Sequence, residues 1–123
     1  MGWKSALIKP FANQVARKVK AWSENPHAYQ ERVFRSLIQQ ASSTAFGKNH
    51  GFSTIQSYND FKKQVPVREY EGLQPYIEQI IRGESDVLWK GRPLYFAKTS
   101  GTTAGTKYIP ITLESVPYHV NSA

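Results

Sequence analysis

The sequence predicts an α/β fold, in which helical segments lead into a strand, a loop and a second strand. Two observations predict it. Apolar residues recur every three or four positions through much of residues 1–88, which is the period of an amphipathic helix. The short apolar run at residues 94–97 has instead the length and composition of a buried strand. Because one strand pair cannot bury both of its faces, we expect the chain to be part of a longer α/β protein.

Two amphipathic helices are predicted in the first part of the chain. Pro10 lacks the N–H that a helix interior needs, so the first helix is expected to be regular only over residues 11–22. Asn25 and Pro26 combine a cap residue with a first-turn proline and open the second helix, which should end by Gly47. The first helix is expected to dock on a larger body through an apolar stripe that comprises Trp3, Leu7, Phe11, Val15, Val19 and Trp22.

Two shorter helices are predicted next. Ser57 and Asp60 have the spacing of a capping box, which places a helix start between them. Pro75 can open the fourth helix, and Gly83 is placed to end it. The core face of this fourth helix is predicted to comprise Tyr76, Ile77, Ile80 and Ile81.

The last part of the chain has a different character. Lys107–Ile111 is short and extended, and Pro110 favours an edge position because it cannot donate to a neighbouring strand. Thr112 can cap a final helix that starts near Leu113. We therefore expect residues 1–88 to be mainly helical and residues 89–123 to form strand, loop, strand and the start of a helix, all within one incomplete domain.

The loop between the two strands consists almost entirely of glycines and small hydroxyl residues. Glycine permits positive φ angles and close approach, and the hydroxyls supply short hydrogen-bond donors. Lys107 adds a mobile positive charge. Backbone amides in such a loop can surround a cluster of anionic oxygens, so we predict a polyphosphate ligand. The predicted contact residues are Thr99, Ser100, Gly101, Thr102, Thr103, Gly105 and Lys107.

Two common phosphate-binding motifs do not describe this loop. The nucleoside-triphosphatase motif requires four residues between its glycines and a hydroxyl residue after its lysine. Here only three residues separate Gly101 from Gly105, and Tyr108 follows Lys107. The dinucleotide motif G-x-G-x-x-G is also missing. A plain turn, which clusters of Ser, Thr and Gly often form, is the simplest alternative.

The run at residues 98–112 resembles the phosphate loop of adenylate-forming enzymes. Its flanks are similar to those of the acyl-acid-amido synthetase family, also called the auxin-responsive promoter family, in a bacterial-type form. One departure is that only Thr106 separates Gly105 from the lysine, whereas plant members often have a longer spacer. The flanking segments that carry the resemblance are residues 46–52, 61–71, 76–77, 83–84 and 94–98.

The resemblance implies a ligase that uses ATP and Mg²⁺. Such an enzyme activates a carboxylic acid as an acyl-adenylate, releases pyrophosphate and transfers the acyl group to an amino acid, which forms an amide. It implies the large domain of an adenylate-forming fold, with the adenine, ribose and acyl pockets and a mobile C-terminal domain lying beyond Ala123. The isolated chain is therefore expected to be inactive.

The resemblance also assigns roles within the loop. The hydroxyls of Ser100, Thr102 and Thr103 would donate hydrogen bonds to phosphate. Lys107 would have the catalytic role of offsetting negative charge on the leaving pyrophosphate. The two loop glycines would present backbone N–H groups, and the threonine before the loop would lie at its mouth. No residue is assigned to the magnesium ion.

Two alternatives stay open. The first is an acyl-CoA ligase of the same superfamily, because the loop alone does not separate a thioester product from an amide. The second is a non-enzymatic helical module that binds an anionic partner, because residues 1–22 carry five basic residues and no acid. A solvated helix face explains such a charge run more simply. The five basic residues are Lys4, Lys9, Arg17, Lys18 and Lys20.

Composition excludes several classes of protein. The chain has no cysteine, so disulfides, zinc–thiolate sites and thiol nucleophiles are excluded. No apolar run approaches a membrane span and no secretory segment is apparent, so a cytoplasmic setting is expected. The net charge is +7, yet no nucleic-acid-binding motif accompanies it. No metal site is predicted, because His27, His50 and His119 lack ligand spacing and are expected to be surface or capping residues. The oligomeric state is left open.

Overall fold

A computed structural model describes residues 3–99 and 105–121 of the chain. Two compact units make up the protein, Met1–Ser36 and Leu37–Ala123. The described elements are mixed: six α-helices, two short 3-10 turns and one antiparallel strand pair. Within the described part of the chain, no helix combines the length and apolarity needed to cross a bilayer.

The first helix, α1 (Trp3–Glu24), is longer than predicted. It runs through Pro10, so the expectation of a regular helix only over residues 11–22 is wrong. Proline removes one N–H from the ladder, and good helix formers such as Ala12 and Ala16 continue the helix beyond it. The members of the predicted stripe whose side chains are described are all exposed: Phe11, Val15, Val19 and Trp22.

The second helix, α2 (Pro26–Ala41), begins at the predicted signals. The Asn25 side chain accepts a hydrogen bond from the Ala28 N–H at 3.3 Å, which caps the first turn. The helix ends before Gly47, as predicted, and Thr44 then starts a separate short helix, α3 (Ala45–Asn49), which was not predicted. The Thr44 hydroxyl is fully buried, donates to the Ala41 carbonyl at 2.7 Å and accepts from the Gly47 N–H at 3.0 Å.

The N-terminus of α3 is closed by a segment that is distant in the sequence. The Ala45 N–H donates to the Asp86 carbonyl at 2.8 Å, and the Phe46 N–H donates to the Val87 carbonyl at 2.9 Å. With the Thr44 hydroxyl on the next N–H, the first turn has acceptors for its otherwise unpaired donors. Residues 86–91 form a closed loop, because the Asp86 carboxylate accepts a hydrogen bond from the Gly91 N–H at 2.9 Å.

The next two helices start and stop at the predicted signals. Ser57 and Asp60 form a reciprocal capping box at the start of α4 (Tyr58–Gln64), with the Ser57 N–H 3.0 Å from the Asp60 carboxylate. Helix α5 (Gln74–Ile81) has Pro75 in its first turn. Gly83, at φ 91°, follows its C-cap and donates to the Ile80 carbonyl at 2.9 Å, which is a Schellman-type end.

The core of the second unit is small. Ile77, Ile80 and Val87 are buried together. The prediction that Ile81 also faces the core is wrong, since 54% of its surface is exposed at the last turn of the helix. The residues that pack around this cluster are Ala45, Tyr70, Tyr76, Leu88 and Phe96. Tyr70 lies in a 3-10 turn, Tyr70–Gly72, and a second 3-10 turn, Phe52–Thr54, follows α3.

The two strands form an antiparallel hairpin. Strand β1 (Tyr95–Thr99) pairs with β2 (Lys107–Ile111) in the register Tyr95 to Ile111 and Thr99 to Lys107. The prediction of a buried strand at residues 94–97 is wrong: only Phe96 is half-buried, against the core. A two-stranded ribbon leaves faces uncovered unless further strands or helices pack on it. Pro110 does occupy an edge strand, as predicted.

The final helix, α6 (Val116–Asn121), begins later than the predicted start near Leu113. Thr112 acts as a cap, as predicted, because it and Ser115 exchange hydrogen bonds ahead of the helix. The Thr112 hydroxyl accepts from the Ser115 N–H at 3.3 Å, and the Ser115 hydroxyl accepts from the Thr112 N–H at 3.1 Å. Residues 113–115 consequently form a turn before the helix.

The contact at Gly47 gives a first testable prediction. A Cβ at this position would lie 2.0 Å from the Ala41 carbonyl oxygen. Helix propensity alone would make Gly47→Ala stabilising, but this clash should make it destabilising by about 1–3 kcal/mol. Urea unfolding measures the change. Gly91→Ala is the control: nothing lies within 4 Å of its Cβ, so it should cost about 1 kcal/mol through its positive φ alone. A stabilised Gly47→Ala chain would contradict the close approach.

A second prediction concerns acid stability. The pKa of Asp60 lies below its ordinary value of 3.8. The main cause is the hydrogen bond from the Ser57 hydroxyl, and the next is the hydrogen bond from the Gln56 N–H. A depressed pKa means that the carboxylate stabilises the fold above the unfolded pKa and loses this contribution as pH falls through the folded pKa. The free energy of unfolding of Asp60→Asn should therefore fall less steeply on acidification than that of the wild type.

Unfolding curves recorded from about pH 6 to about pH 3 test this difference. Asn59→Ala is the matched control, because the neighbouring exposed residue carries no titrating group and should keep the wild-type pH profile. Parallel profiles for Asp60→Asn and the wild type would contradict the assigned role of the capping-box carboxylate.

Candidate phosphate-binding site

The hairpin holds the two ends of the predicted phosphate loop. Thr99 is the last residue of β1 and Lys107 is the first residue of β2, and the two are directly paired. Directly paired residues of an antiparallel ladder project their side chains from the same face. The side chains of Thr99 and Lys107 therefore leave the same face of the hairpin, at the end that the intervening residues join.

Gly105 has the backbone that the sequence analysis expects of a loop glycine. Its φ is 77°, in the left-handed region. Among the described residues, a Cβ there would meet nothing within 4 Å, so its φ is the reason that these residues give for glycine. Four of the predicted contact residues lie outside the described residues and stay predictions: Ser100, Gly101, Thr102 and Thr103.

Lys107 is half-buried and carries an unneutralised charge. It makes no ion pair with any residue in ranges 3–99 and 105–121, where the ion pairs present involve other residues. Its Nζ atom lies instead 5.4 Å from the centroid of the Tyr70 ring. An aromatic face attracts a cation without cancelling its charge, so the ammonium remains available to an anion.

Tyr70 also holds the strand that carries this lysine. Its hydroxyl accepts a hydrogen bond from the Tyr108 N–H at 2.9 Å and donates to the Tyr108 carbonyl at 3.3 Å. The sequence analysis missed this residue. Nothing in its spacing marks it, because its partners lie 38 positions further along the chain.

The base of the hairpin is fastened by two further contacts. The Leu94 N–H donates to the Ile111 carbonyl at 2.8 Å, which extends the pairing by one residue. The Trp89 indole N–H donates to the Glu114 carboxylate at 2.7 Å, which joins the segments before β1 and after β2. These contacts fix both strands below the loop.

His50 behaves as a capping residue, as predicted. It follows α3 as its C-cap, and its ring stacks on Phe46 with centroids 4.0 Å apart. The Arg68 guanidinium lies 2.7 Å from Nε2 and can only donate, so Nε2 accepts and Nδ1 carries the proton toward the Phe46 carbonyl at 2.8 Å. His27 and His119 are exposed. Across residues 3–99 and 105–121, no three His, Asp or Glu side chains gather as a metal site would require.

A glycine- and threonine-rich segment thus joins two paired strands, and Lys107, which makes no ion pair among the described residues, lies at the start of the second strand. The comparison with known families identifies its setting. Residues 15–122 match the model described as the GH3 family N-terminal domain. The chain belongs to the GH3 family, and the resemblance to acyl-acid-amido synthetases is confirmed.

Curated relatives of the chain are plant amido synthetases. The chain is 30% identical over 97 residues to indole-3-acetic acid-amido synthetase GH3.2 of Arabidopsis thaliana, which covers 78% of the chain and 18% of the relative. It is 35% identical over 98 residues to the GH3.17 synthetase of the same plant, with coverage of 75% and 16%. It is 33% identical over 88 residues to a probable synthetase GH3.2 of Oryza sativa subsp. japonica, with coverage of 71% and 14%. The chain therefore spans less than a fifth of the length of these three relatives.

The backbone of Gly105 gives a third prediction. Gly105→Ala forces a Cβ into the left-handed region and should cost about 1–2 kcal/mol at the loop exit. Amide hydrogen exchange at Lys107 and Tyr108 should accelerate about 10-fold as the end of the hairpin opens. Thr106→Ala is the matched control and should leave exchange unchanged, because only Gly105 of these two neighbours has positive φ. Equal exchange rates in Gly105→Ala and wild type would argue against a constrained loop exit.

Proposed function

We propose that residues 99–107 bind the phosphate groups of ATP in an adenylate-forming ligase. One observation carries this proposal: a half-buried lysine without a carboxylate partner among the described residues stands beside a threonine at the neck of a glycine-rich loop. The ammonium of Lys107 has no carboxylate partner among the described residues, so an anion that reaches the loop can pair with it.

The residues present fit a polyphosphate. Lys107 offers a compact ammonium with three donors, and Thr99 offers a hydroxyl beside it. Gly105 lets the backbone turn back toward the strand, so that the amides of the loop can face inward. The proposal assigns the hydroxyls and amides of the rest of the loop to the same phosphates: Ser100, Gly101, Thr102 and Thr103. The magnesium ion would arrive with the nucleotide, and no residue of this chain is assigned to it.

The chemistry that these residues serve is charge stabilisation rather than covalent catalysis. In the proposed reaction a carboxylate oxygen of the acid attacks the α-phosphorus of ATP, and the bond to the pyrophosphate oxygen breaks. Lys107 offsets the negative charge that develops on that leaving oxygen, while Thr99 and the loop amides hold the phosphates in place. An amine then attacks the activated carbonyl, loses a proton and displaces AMP, which leaves an amide.

The names of the relatives favour an amide over a thioester. They are indole-3-acetic acid-amido synthetases, so their names specify a carboxylic acid joined through an amide. We infer that the enzyme to which this chain belongs joins a small carboxylic acid to an amino acid in the same way. The acyl-CoA ligase alternative has no counterpart among these names. A cytoplasmic setting, where ATP is available, stays a prediction.

The 123 residues on their own should bind phosphate without turning over substrate. The proposal places no adenine, ribose or acyl contact on them, and the matched part is less than a fifth of the relative's length. In an adenylate-forming enzyme those contacts would belong to the remainder of the large domain and to a second, mobile domain. Catalysis is therefore to be sought in the native polypeptide that carries this sequence.

The fourth prediction tests Lys107 with its neighbour as control. Titration of the ¹⁵N-labelled chain with pyrophosphate should shift amides at the hairpin, and Lys107→Ala should weaken binding about 10-fold. Lys98→Ala removes the same charge from the same hairpin. Lys98 is exposed and adjacent to Thr99 in β1, so its side chain leaves from the opposite face, and its loss should change affinity less than about 2-fold.

Other outcomes separate the alternatives. Equal losses for the two lysine variants would indicate unspecific charge attraction and reject the site. Loss of binding only when the five basic residues of 1–22 are neutralised would instead support the non-enzymatic helical module. In the native polypeptide, Lys107→Ala should reduce acyl-dependent ATP–pyrophosphate exchange, and unchanged exchange would remove the catalytic role from this lysine.

A further inference from the structure

We propose that Tyr70 is the positioning residue of Lys107: its hydroxyl fixes the strand that carries the lysine, and its ring holds the ammonium at the loop exit. This inference rests on the proposed function, since it explains how the phosphate-binding cation is kept in place. Two contacts carry it, one made by the hydroxyl and one by the ring.

The hydroxyl acts where a third strand would otherwise pair. The N–H and C=O of one strand residue point to the same edge, and both groups of Tyr108 engage the Tyr70 oxygen, at 2.9 and 3.3 Å. They are therefore directed away from β1. A single side chain thus provides hydrogen-bond partners for the outer edge of β2 immediately after Lys107. It also fixes the position of this strand relative to Tyr70.

The ring acts on the lysine itself. The Lys107 Nζ lies 5.4 Å from the Tyr70 ring centroid, within the range of a cation–π contact. A free lysine side chain has many rotamers, and an aromatic face beside its ammonium reduces them before a ligand arrives. A phosphate oxygen binds an ammonium more strongly than a ring does, so the contact restrains the lysine without competing for it.

Tyr70 is itself anchored. It packs against the buried cluster of Ile77, Ile80 and Val87 and lies in the turn Tyr70–Gly72. Arg68 holds the residues just before the turn, because its guanidinium lies 2.7 Å from the His50 ring nitrogen and over the Phe46 ring.

The packing of the turn against Arg68 is close. A Cβ at Gly72 would lie 3.1 Å from the Arg68 Cβ, which leaves little room for the turn to shift. Contacts with the core and with α3, and not the loop alone, therefore determine where the ammonium lies.

Two substitutions separate the two contacts. Tyr70→Phe removes both hydrogen bonds and keeps the ring, whereas Tyr70→Leu removes the hydroxyl and the ring together. Tyr95→Phe is the matched control, because it deletes the hydroxyl of an exposed tyrosine on the same hairpin. Each variant is made in the full 123-residue chain, and the dispersion of its amide spectrum reports whether it is folded.

The first measurement is spectroscopic and needs no ligand. The Tyr108 amide should exchange about 10-fold faster in Tyr70→Phe than in the wild type and in Tyr95→Phe. The ε-methylene protons of Lys107 should show an upfield ring-current shift in the wild type, keep most of it in Tyr70→Phe and lose it in Tyr70→Leu. A purely structural tyrosine would not give this pattern on the lysine protons. Absence of the shift from the wild type would overturn the proposal.

The second measurement is pyrophosphate affinity in a double-mutant cycle. Tyr70→Leu should weaken binding about 3- to 10-fold in the wild-type background. Tyr70→Phe, which keeps the ring, should bind nearly as tightly as the wild type. In the Lys107→Ala background, Tyr70→Leu should have almost no further effect, because the group that it positions is gone. Equal weakening in both backgrounds would overturn the proposal. If the wild-type chain binds no pyrophosphate, the proposed function fails, while the exchange and ring-current results still decide whether Tyr70 holds Lys107.

Discussion

The closure of the α3 N-terminus by the backbone of residues 86 and 87 is the contact on which the second unit depends. Two helix amides, on Ala45 and Phe46, donate to carbonyls some 40 positions further along the chain. This pairing brings Val87 onto the face of α5 and so completes the buried cluster with Ile77 and Ile80. Without it the cluster would lack one wall, and a helix of five residues has little stability of its own.

Packing against this cluster positions the candidate site. Tyr70 packs on it from one side and supports β2, and Phe96 packs on it and supports β1. The lysine at the loop exit is thus two contacts away from the buried residues. A charged side chain intended for phosphate gains from such support, because a ligand then meets it with few rotamers left to lose.

Features set by neighbouring residues could be predicted from the sequence. The capping box of Ser57 and Asp60, the first-turn proline of α5 and the glycine that ends it depend on a few adjacent positions, and all three are confirmed. The limits of β2 follow in the same way. The positive φ of Gly105 could be predicted too, because glycine-rich composition favours such a backbone, whereas the phosphate-binding role of the loop stays a prediction.

Features set by distant contacts could not be predicted. Helix α3 is too short to show a period, and its start depends on the carbonyls of Asp86 and Val87. The exposure of Ile81 and of most of β1 follows from how little of the second unit covers them. Tyr70 has no local signal at all, since a tyrosine near two glutamates is typical of a solvated turn. Its role appears only when Lys107 and Tyr108 are brought beside it.

The outer edge of β2 has a consequence for association between chains. Exposed strand edges invite pairing with other strands, because their N–H and C=O groups are free. On this edge the groups of Tyr108 are already taken by a side chain, and Pro110, two positions on and facing the same way, has no N–H to offer. The hairpin is therefore closed to strand addition on the side of β2. Whatever extends this sheet, whether more of the same polypeptide or another molecule, has to join it along β1.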